Sequence, residues 1–320
     1  MSRDEPEHLP RHLWWILAGL TFVWGFNWTA LKVALSEVAP FTFRTICLAA
    51  GSGLLFAFLR LSRQPLAVPR SEWPQLVLIA LFTITAWNLL VAFGVRLIPS
   101  GRAAILAYTM PAWAIPLSVW LLGERMNGRK ILGLALGMGG IALLLWDEVA
   151  RLQGAPLGSL LVLGAAVTWA IGTLLQKKYP VRAPVAAYTA WIMLIGGIPI
   201  YAGALLSDDF GALARVEFWP ALAVTYNVVF AFAWAHWAWI KLATTVSVTT
   251  FSLSMLMVPV VGVFSGMLFL GERPGFAEFG ALVLVLGSLA TVMVQPAARA
   301  SSAAAGSAPG PSSAPPPRDR

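Results

Sequence analysis

Charge is scarce in this chain. Asp, Glu, Lys and Arg make up 11% of its 320 residues, against about 25% in an average soluble domain. Cysteine is nearly absent. Cys47 stands alone, which excludes an intrachain disulfide and a thiolate metal site. There are three histidines, and two of them, His8 and His12, lie at the N-terminus. A histidine-built metal site is therefore excluded, and no metal or cofactor is expected. Basic clusters are missing as well. The formal net charge is +8, but the Lys and Arg residues stand singly at the edges of apolar runs. That pattern belongs to membrane loops, not to a nucleic-acid face.

What fills the sequence is apolar. Hydrophobic residues make up 58%, with 15 Trp and 22 Pro. A spanning helix needs about 20 mostly apolar residues. Ten runs approach or reach that length: 13–35, 41–59, 73–95, 101–122, 131–146, 157–176, 185–206, 218–240, 246–270 and 276–294. The first is too long for a signal-peptide core and reads as a retained span. The expectation is an all-α membrane protein of ten transmembrane helices. Residues 1–12 form a short polar tail. Residues 297–320, rich in Ala, Ser, Pro and Gly, read as a disordered tail. With both tails in the cytoplasm, 15 of the 22 Lys and Arg fall on the inner side and 7 on the outer. The positive-inside rule favours that orientation.

The chain repeats itself. "MPAWAIPLSVWLLGER" begins at Met110 and "VPVVGVFSGMLFLGER" at Val258. Pro111 and Pro259 are 148 residues apart, and so are Glu124 and Glu272. "FVWGFNWTALK" from Phe22 lies over "VTWAIGTLLQK" from Val167, pairing Trp24 with Trp169 and Lys32 with Lys177. Gly140 pairs with Gly287. Three echoes in order imply two related halves, 13–150 and 151–296, of five helices each. Five is odd, so the second half enters the membrane from the opposite side. Inverted repeats of this kind enclose a central cavity near the midplane in secondary transporters.

"WGFNWTALK" in the first run, and the Pro-to-"LGER" phrase in the fourth and ninth, resemble the EamA-type branch of the drug/metabolite transporter superfamily. The aromatic content is similar to the YddG-type exporters of aromatic and other neutral amino acids. The resemblance implies a helical basket lined by the first, third, fourth, sixth, eighth and ninth spans. It also implies export across a bacterial inner membrane by alternating access, with no enzymatic step.

The centres of all ten runs lack Asp, Glu, Lys and Arg. Lys32, Arg44, Arg96, Arg102, Lys177, Lys241 and Glu278 sit near run ends, where long side chains reach the interface. A substrate of little net charge is expected. Trp24, Asn27, Trp28, Trp87, Asn88, Tyr108, Trp113, Trp169, Thr173, Tyr226, His236, Ser254 and Met255 are the candidate binding residues. Amide and hydroxyl groups hold an ammonium and a carboxylate, and aromatic faces supply apolar contact and cation–π attraction. That suits a neutral amino acid with an apolar side chain. For Asn88 and Asn227, interhelical hydrogen bonding is the favoured role. Trp14, Trp15, Trp73, Trp146 and Trp219 belong to the interfacial belt. Pro111 and Pro259 are expected to kink their helices as paired gates. Gly123 and Gly271 are expected in the left-handed helix cap, with the following Glu at the interface. Lys32 and Lys177 read as snorkelling anchors. The chain is expected in the lipid bilayer as a monomer. Two alternatives stay open: an exporter of apolar drugs or metabolites, and a membrane-embedded lipid-modifying enzyme. The enzyme would need a catalytic cluster that the runs do not offer.

Overall fold

Five helices in this chain begin without side-chain caps of their own, whereas Asn127 caps the helix Gly128–Ala150 through the Lys130 N–H at 2.9 Å. The residue before the first helical position is Pro10, Ala39, Pro99, Pro156 or Pro184, none with a side chain that can accept a hydrogen bond. Proline there pre-sets the backbone angle but leaves the first N–H groups unsatisfied. Acids from distant loops supply the acceptors. Asp208 accepts from the backbone N and Oγ1 of Thr42, both at 2.7 Å. Glu72 accepts from the N–H of Arg182 at 2.7 Å, and Glu37 from that of Glu217 at 2.7 Å. The few acids of a charge-poor chain thus tie loops to helix starts far away in sequence.

The computed structural model of the chain describes residues 10–150, 156–245 and 248–293. All its regular elements in those residues are helical. We number them α1 (Arg11–Ala34), α2 (Pro40–Leu61), α3 (Arg70–Leu97), α4 (Ser100–Leu122), α5 (Gly128–Ala150), α6 (Leu157–Lys178), α7 (Val185–Ser207), α8 (218–245), α9 (Val248–Leu270) and α10 (Phe276–Met293). Eight stretches are long and apolar enough to cross a membrane; Ser254–Leu270 and Phe276–Thr291 are shorter apolar stretches. The fifth, the shortest run in the sequence, extends over 23 helical residues.

α1 packs chiefly on α9 and α8, and α6 chiefly on α3 and α4. α2 pairs with α7, and α5 with α10, on the outside of that ring. Large apolar side chains such as Trp15, Trp120, Leu206 and Phe276 face outward. A helix apolar on every side needs lipid on the face that protein does not cover. The largest buried cluster draws on α1, α3, α4, α6 and α9, and all eight residues from Ser100 to Ala107 are buried. The two ends of α4 therefore differ in burial: Ser100–Ala107 is enclosed by protein, and Trp120 near the Leu122 end is exposed.

Candidate functional site

The middle of the bundle carries irregular backbone. α3 widens into a π-helical stretch at Leu81–Ala86, and α8 does so at Asn227–Trp234. Such stretches free carbonyls from the regular ladder and concentrate at functional sites. The Nδ2 of Asn88 donates to the Ile84 carbonyl at 2.8 Å, and that of Asn227 to the Ala223 carbonyl at 2.9 Å. Both amides therefore serve their own helix, where hydrogen bonding between helices was expected. The π stretches have no composition signature, so nothing in the sequence marked them.

Aromatic pairs cross the interior. Trp24 meets Trp239 at 5.2 Å between ring centres, and Trp87 meets Trp169 at 4.9 Å. Tyr226 packs edge-on against Phe26 and donates to the Val23 carbonyl at 2.9 Å. Two candidates, Asn27 through Oδ1 and Trp113 through Nε1, hold buried polar atoms without a partner among the described residues, and so does Asn227 through Oδ1, which was not among the candidates. An unpaired buried polar atom costs about 1–3 kcal/mol, so each is a place for a polar ligand or water.

The other candidates are placed as follows. Trp28 is buried in the apolar cluster, with its ring over Gly262 of α9. Met255 is buried beside α1 and α8. The Ser254 carbonyl accepts from Thr21 Oγ1 at 3.3 Å. Tyr108 lies where α4 breaks, and Thr109 donates its hydroxyl to Leu106 there. Thr173 is exposed and donates to the Trp169 carbonyl at 2.9 Å, its own helix. The His236 side chain lies outside the described residues. Pro111 opens the second segment of α4 just after the break, whereas Pro259 sits inside a continuous α9. The two prolines thus stand in different settings, one at the start of a segment and the other within a helix.

The ends of α4 hold the clearest chemistry. Gly123 and Gly271 both adopt φ +66°, as expected of helix caps. Glu272, after the second glycine, does not lie idle at the interface. Its Oε1 accepts from the Ser100 N–H at 2.6 Å and its Oε2 from the Gly101 N–H at 3.0 Å. It caps the N-terminus of α4, where orphan N–H groups and the helix dipole both favour a carboxylate. Lys32 is beside it. Its ammonium donates to the carbonyls of Val95, Arg96 and Ile98 at 2.7, 3.1 and 2.8 Å. Those are the orphan carbonyls ending α3. Lys32 is therefore a clamp, not a snorkelling anchor. Arg102 is buried and binds Asp147 at 2.7 Å and Glu278 through Nε at 3.0 Å, tying α4 to α5 and α10. It too was expected at the interface; paired carboxylates let it stay inside.

At the opposite end Glu124 binds two ammonium groups, Lys130 at 2.8 Å and Lys177. The Lys130 ammonium first, and then that of Lys177, holds its carboxyl down at about 2, from an ordinary 4.5. So Lys177 meets the glutamate of the repeated phrase directly, whereas Lys32 reaches helix carbonyls. α1 also packs on the sealed starts of α4 and the end of α3, and α6 has no comparable packing on α9 or α8 among the described residues.

A bundle of long apolar helices with irregular central backbone and unpaired polar atoms suits a membrane transporter. The profile of the EamA-like transporter family matches twice, over residues 12–146 and 156–294. The chain belongs to that family. It is 26% identical over 288 residues to a "Probable amino-acid metabolite efflux pump" of Escherichia coli (strain K12), covering 83% of this chain and 89% of that protein. It is 26% identical over 261 residues to the "Uncharacterized transporter YoaV" of Bacillus subtilis (strain 168), covering 80% and 88%. A solved crystal structure superposes with a TM-score of 0.61 at 20% identity, covering 86% of this chain and 95% of that one, a likeness of fold alone.

Proposed function

We propose that the protein is a secondary transporter that exports neutral amino acids, aromatic ones included, or closely related small metabolites. It works by alternating access in a bacterial cytoplasmic membrane. Ten spans in two inverted halves, 13–150 and 151–296, carry the process, with both termini in the cytoplasm. The name of the Escherichia coli relative supports the substrate class. So do the paired tryptophans and the unpartnered amides, which offer apolar contact and hydrogen bonds without net charge.

One observation carries the mechanism. Glu272 and Lys32 clamp α4 and α3 at the Ser100 end, while their counterparts Glu124 and Lys177 bind each other. In the opposite state the second pair would take the equivalent seats. Glu124 would cap the start of α9, and Lys177 would hold the end of α8. Glu272 and Lys32 would then release theirs. Two matched latches, closed one at a time, are what an inverted repeat needs to expose a central site to alternate sides. On this reading the Ser100 latch is the closed one, and the Lys/Arg bias puts the Leu122 end on the cytoplasmic side.

The test is flux from proteoliposomes loaded with labelled neutral amino acids. The reading expects efflux that falls in Trp24→Ala, Asn27→Ala and Tyr108→Ala with expression intact. Efflux of an apolar cationic dye without any amino-acid flux would replace this reading with the drug-exporter one.

A further inference from the structure

Arg44 lies on α2, one helical turn beyond its start at Pro40. So near an end, its side chain was expected to reach water. Instead the residue is 4% exposed. Its Nε is buried with no hydrogen-bond partner, and no acceptor among the described residues takes a bond from the guanidinium. Its one close neighbour of note is the adjacent Phe43 ring, 5.2 Å away. Asp208, the acid at the start of α2, is already committed to Thr42. Arginine does not shed its proton in proteins. A guanidinium buried at Nε without a counter-charge is costly. An arriving anion would relieve that cost.

The surroundings say which kind of anion. Cys47 and Gly51 follow Arg44 at i+3 and i+7 on one buried face of α2. Gly51 lies against Phe232 in the π stretch of α8; a Cβ there would sit 3.0 Å from that ring. α2 and α8 both start at the Ser100 end and run in parallel. Counted back from the Gly51–Phe232 contact, Arg44 is about 10 Å and Asn227 about 7 Å toward that end, at ~1.5 Å per residue. The two are therefore within one helical turn in depth. Asn227 Nδ2 is occupied by Ala223, which leaves its unpartnered Oδ1 as an acceptor. On α1, Asn27 Oδ1 is unpartnered as well, one turn beyond Val23, whose carbonyl holds Tyr226.

We infer that Arg44 is the carboxylate anchor of the transport site and that the side-chain oxygens of Asn27 and Asn227 receive the ammonium group. One unpaired cation and two unpaired acceptors, on α8 and on the two helices α1 and α2 that pack against its π stretch, match the head group of an α-amino acid. The inference rests on the amino-acid reading above and assigns its charged ends.

The test uses the purified full chain. Take the amino acid that binds most tightly from a panel of neutral ones, its carboxamide, which lacks the carboxylate, and its desamino acid, which lacks the ammonium. Wild type should bind the amino acid at least tenfold more tightly than either analogue. Arg44→Gln should bind the amino acid and its amide alike. Arg44→Lys should keep only part of the preference, because an ammonium cannot offer two parallel N–H donors. Asn227→Ala should weaken the amino acid and leave the desamino acid unchanged. A folded Arg44→Gln or Arg44→Lys that keeps the full amino-acid-over-amide preference overturns the inference. So does Arg44-dependent stabilisation by phosphatidylglycerol with no carboxylate binding, which would make the group a lipid-phosphate site. If wild type binds simple carboxylates through Arg44 but no amino acid, the anchor stands and the amino-acid reading fails.

Discussion

The two copies of "LGER" end their helices in the same way and then part company. Gly123 and Gly271 share one backbone angle. Glu124 N–H returns to the Ser118 carbonyl at 3.3 Å, and Glu272 N–H to the Gly266 carbonyl at 3.2 Å. These are matched Schellman closures. Beyond them, Glu272 enters the N-terminus of α4, and Glu124 turns to two lysines. The local code is symmetric, and the environment of each carboxylate is not. Sequence sets the helix end; the arrangement of the partner helix decides what the glutamate does there.

The comparison can be broken most severely at Arg102. It ties α4 to α5 and α10 through Asp147 and Glu278, beneath the Glu272 seat. Arg102→Ala removes the cation from the buried carboxylate of Glu278 and its ion pair with the part-buried Asp147. Removing one partner of a buried pair costs about 3–5 kcal/mol. Unfolding in mixed SDS micelles should show a loss of that order, the largest of any single change described here. The glutamates themselves come next. Glu272→Gln gives up a charged helix cap and should cost about 1–2 kcal/mol. Glu124→Gln gives up a partly exposed ion pair and should cost less than about 1 kcal/mol. Equal losses in the same titration would erase the distinction between the two ends.

The smallest effect concerns pH. The two lysines depress the Glu124 carboxyl to about 2 in the folded chain, below its ordinary 4.5. A depressed carboxyl stabilises the fold above its unfolded value and loses that contribution as pH falls toward the folded one. The Glu124 pair should therefore be intact across pH 5–8. The shape of the transport profile over that range should be the same in Glu124→Gln as in wild type.

Much of the fold was legible because lipid imposes long apolar helices, and because a Gly after an apolar run marks a helix end. The glycine caps left such marks, and so did the repeat that the family profile matches twice. Other features left none. The π stretches at Leu81–Ala86 and Asn227–Trp234 have ordinary composition. Asp208, Glu37 and Glu272 bind N–H groups at helix starts far away in the chain, and no local motif announces a cap supplied by another loop. Arg44 and Arg102 read as interfacial by position alone, yet tertiary packing encloses both. Pro111 and Pro259 occupy matched positions in unlike helices, and the repeat alone did not show that α4 is interrupted before its proline. The residues of the candidate site were named by type; which of their polar atoms stand unpaired emerged from the packing.

The alternating use of the two glutamates is the central claim, and Ser100 reports on it directly. The residue is fully buried beneath Glu272, and cysteine there is close to isosteric. With Cys47 replaced by alanine, Ser100→Cys gives one thiol to follow with a membrane-impermeant maleimide. The account expects slow labelling when Glu272 is present. It expects at least tenfold faster labelling in Glu272→Gln and no acceleration in Glu124→Gln. Equal rates in the two glutamine variants would contradict it.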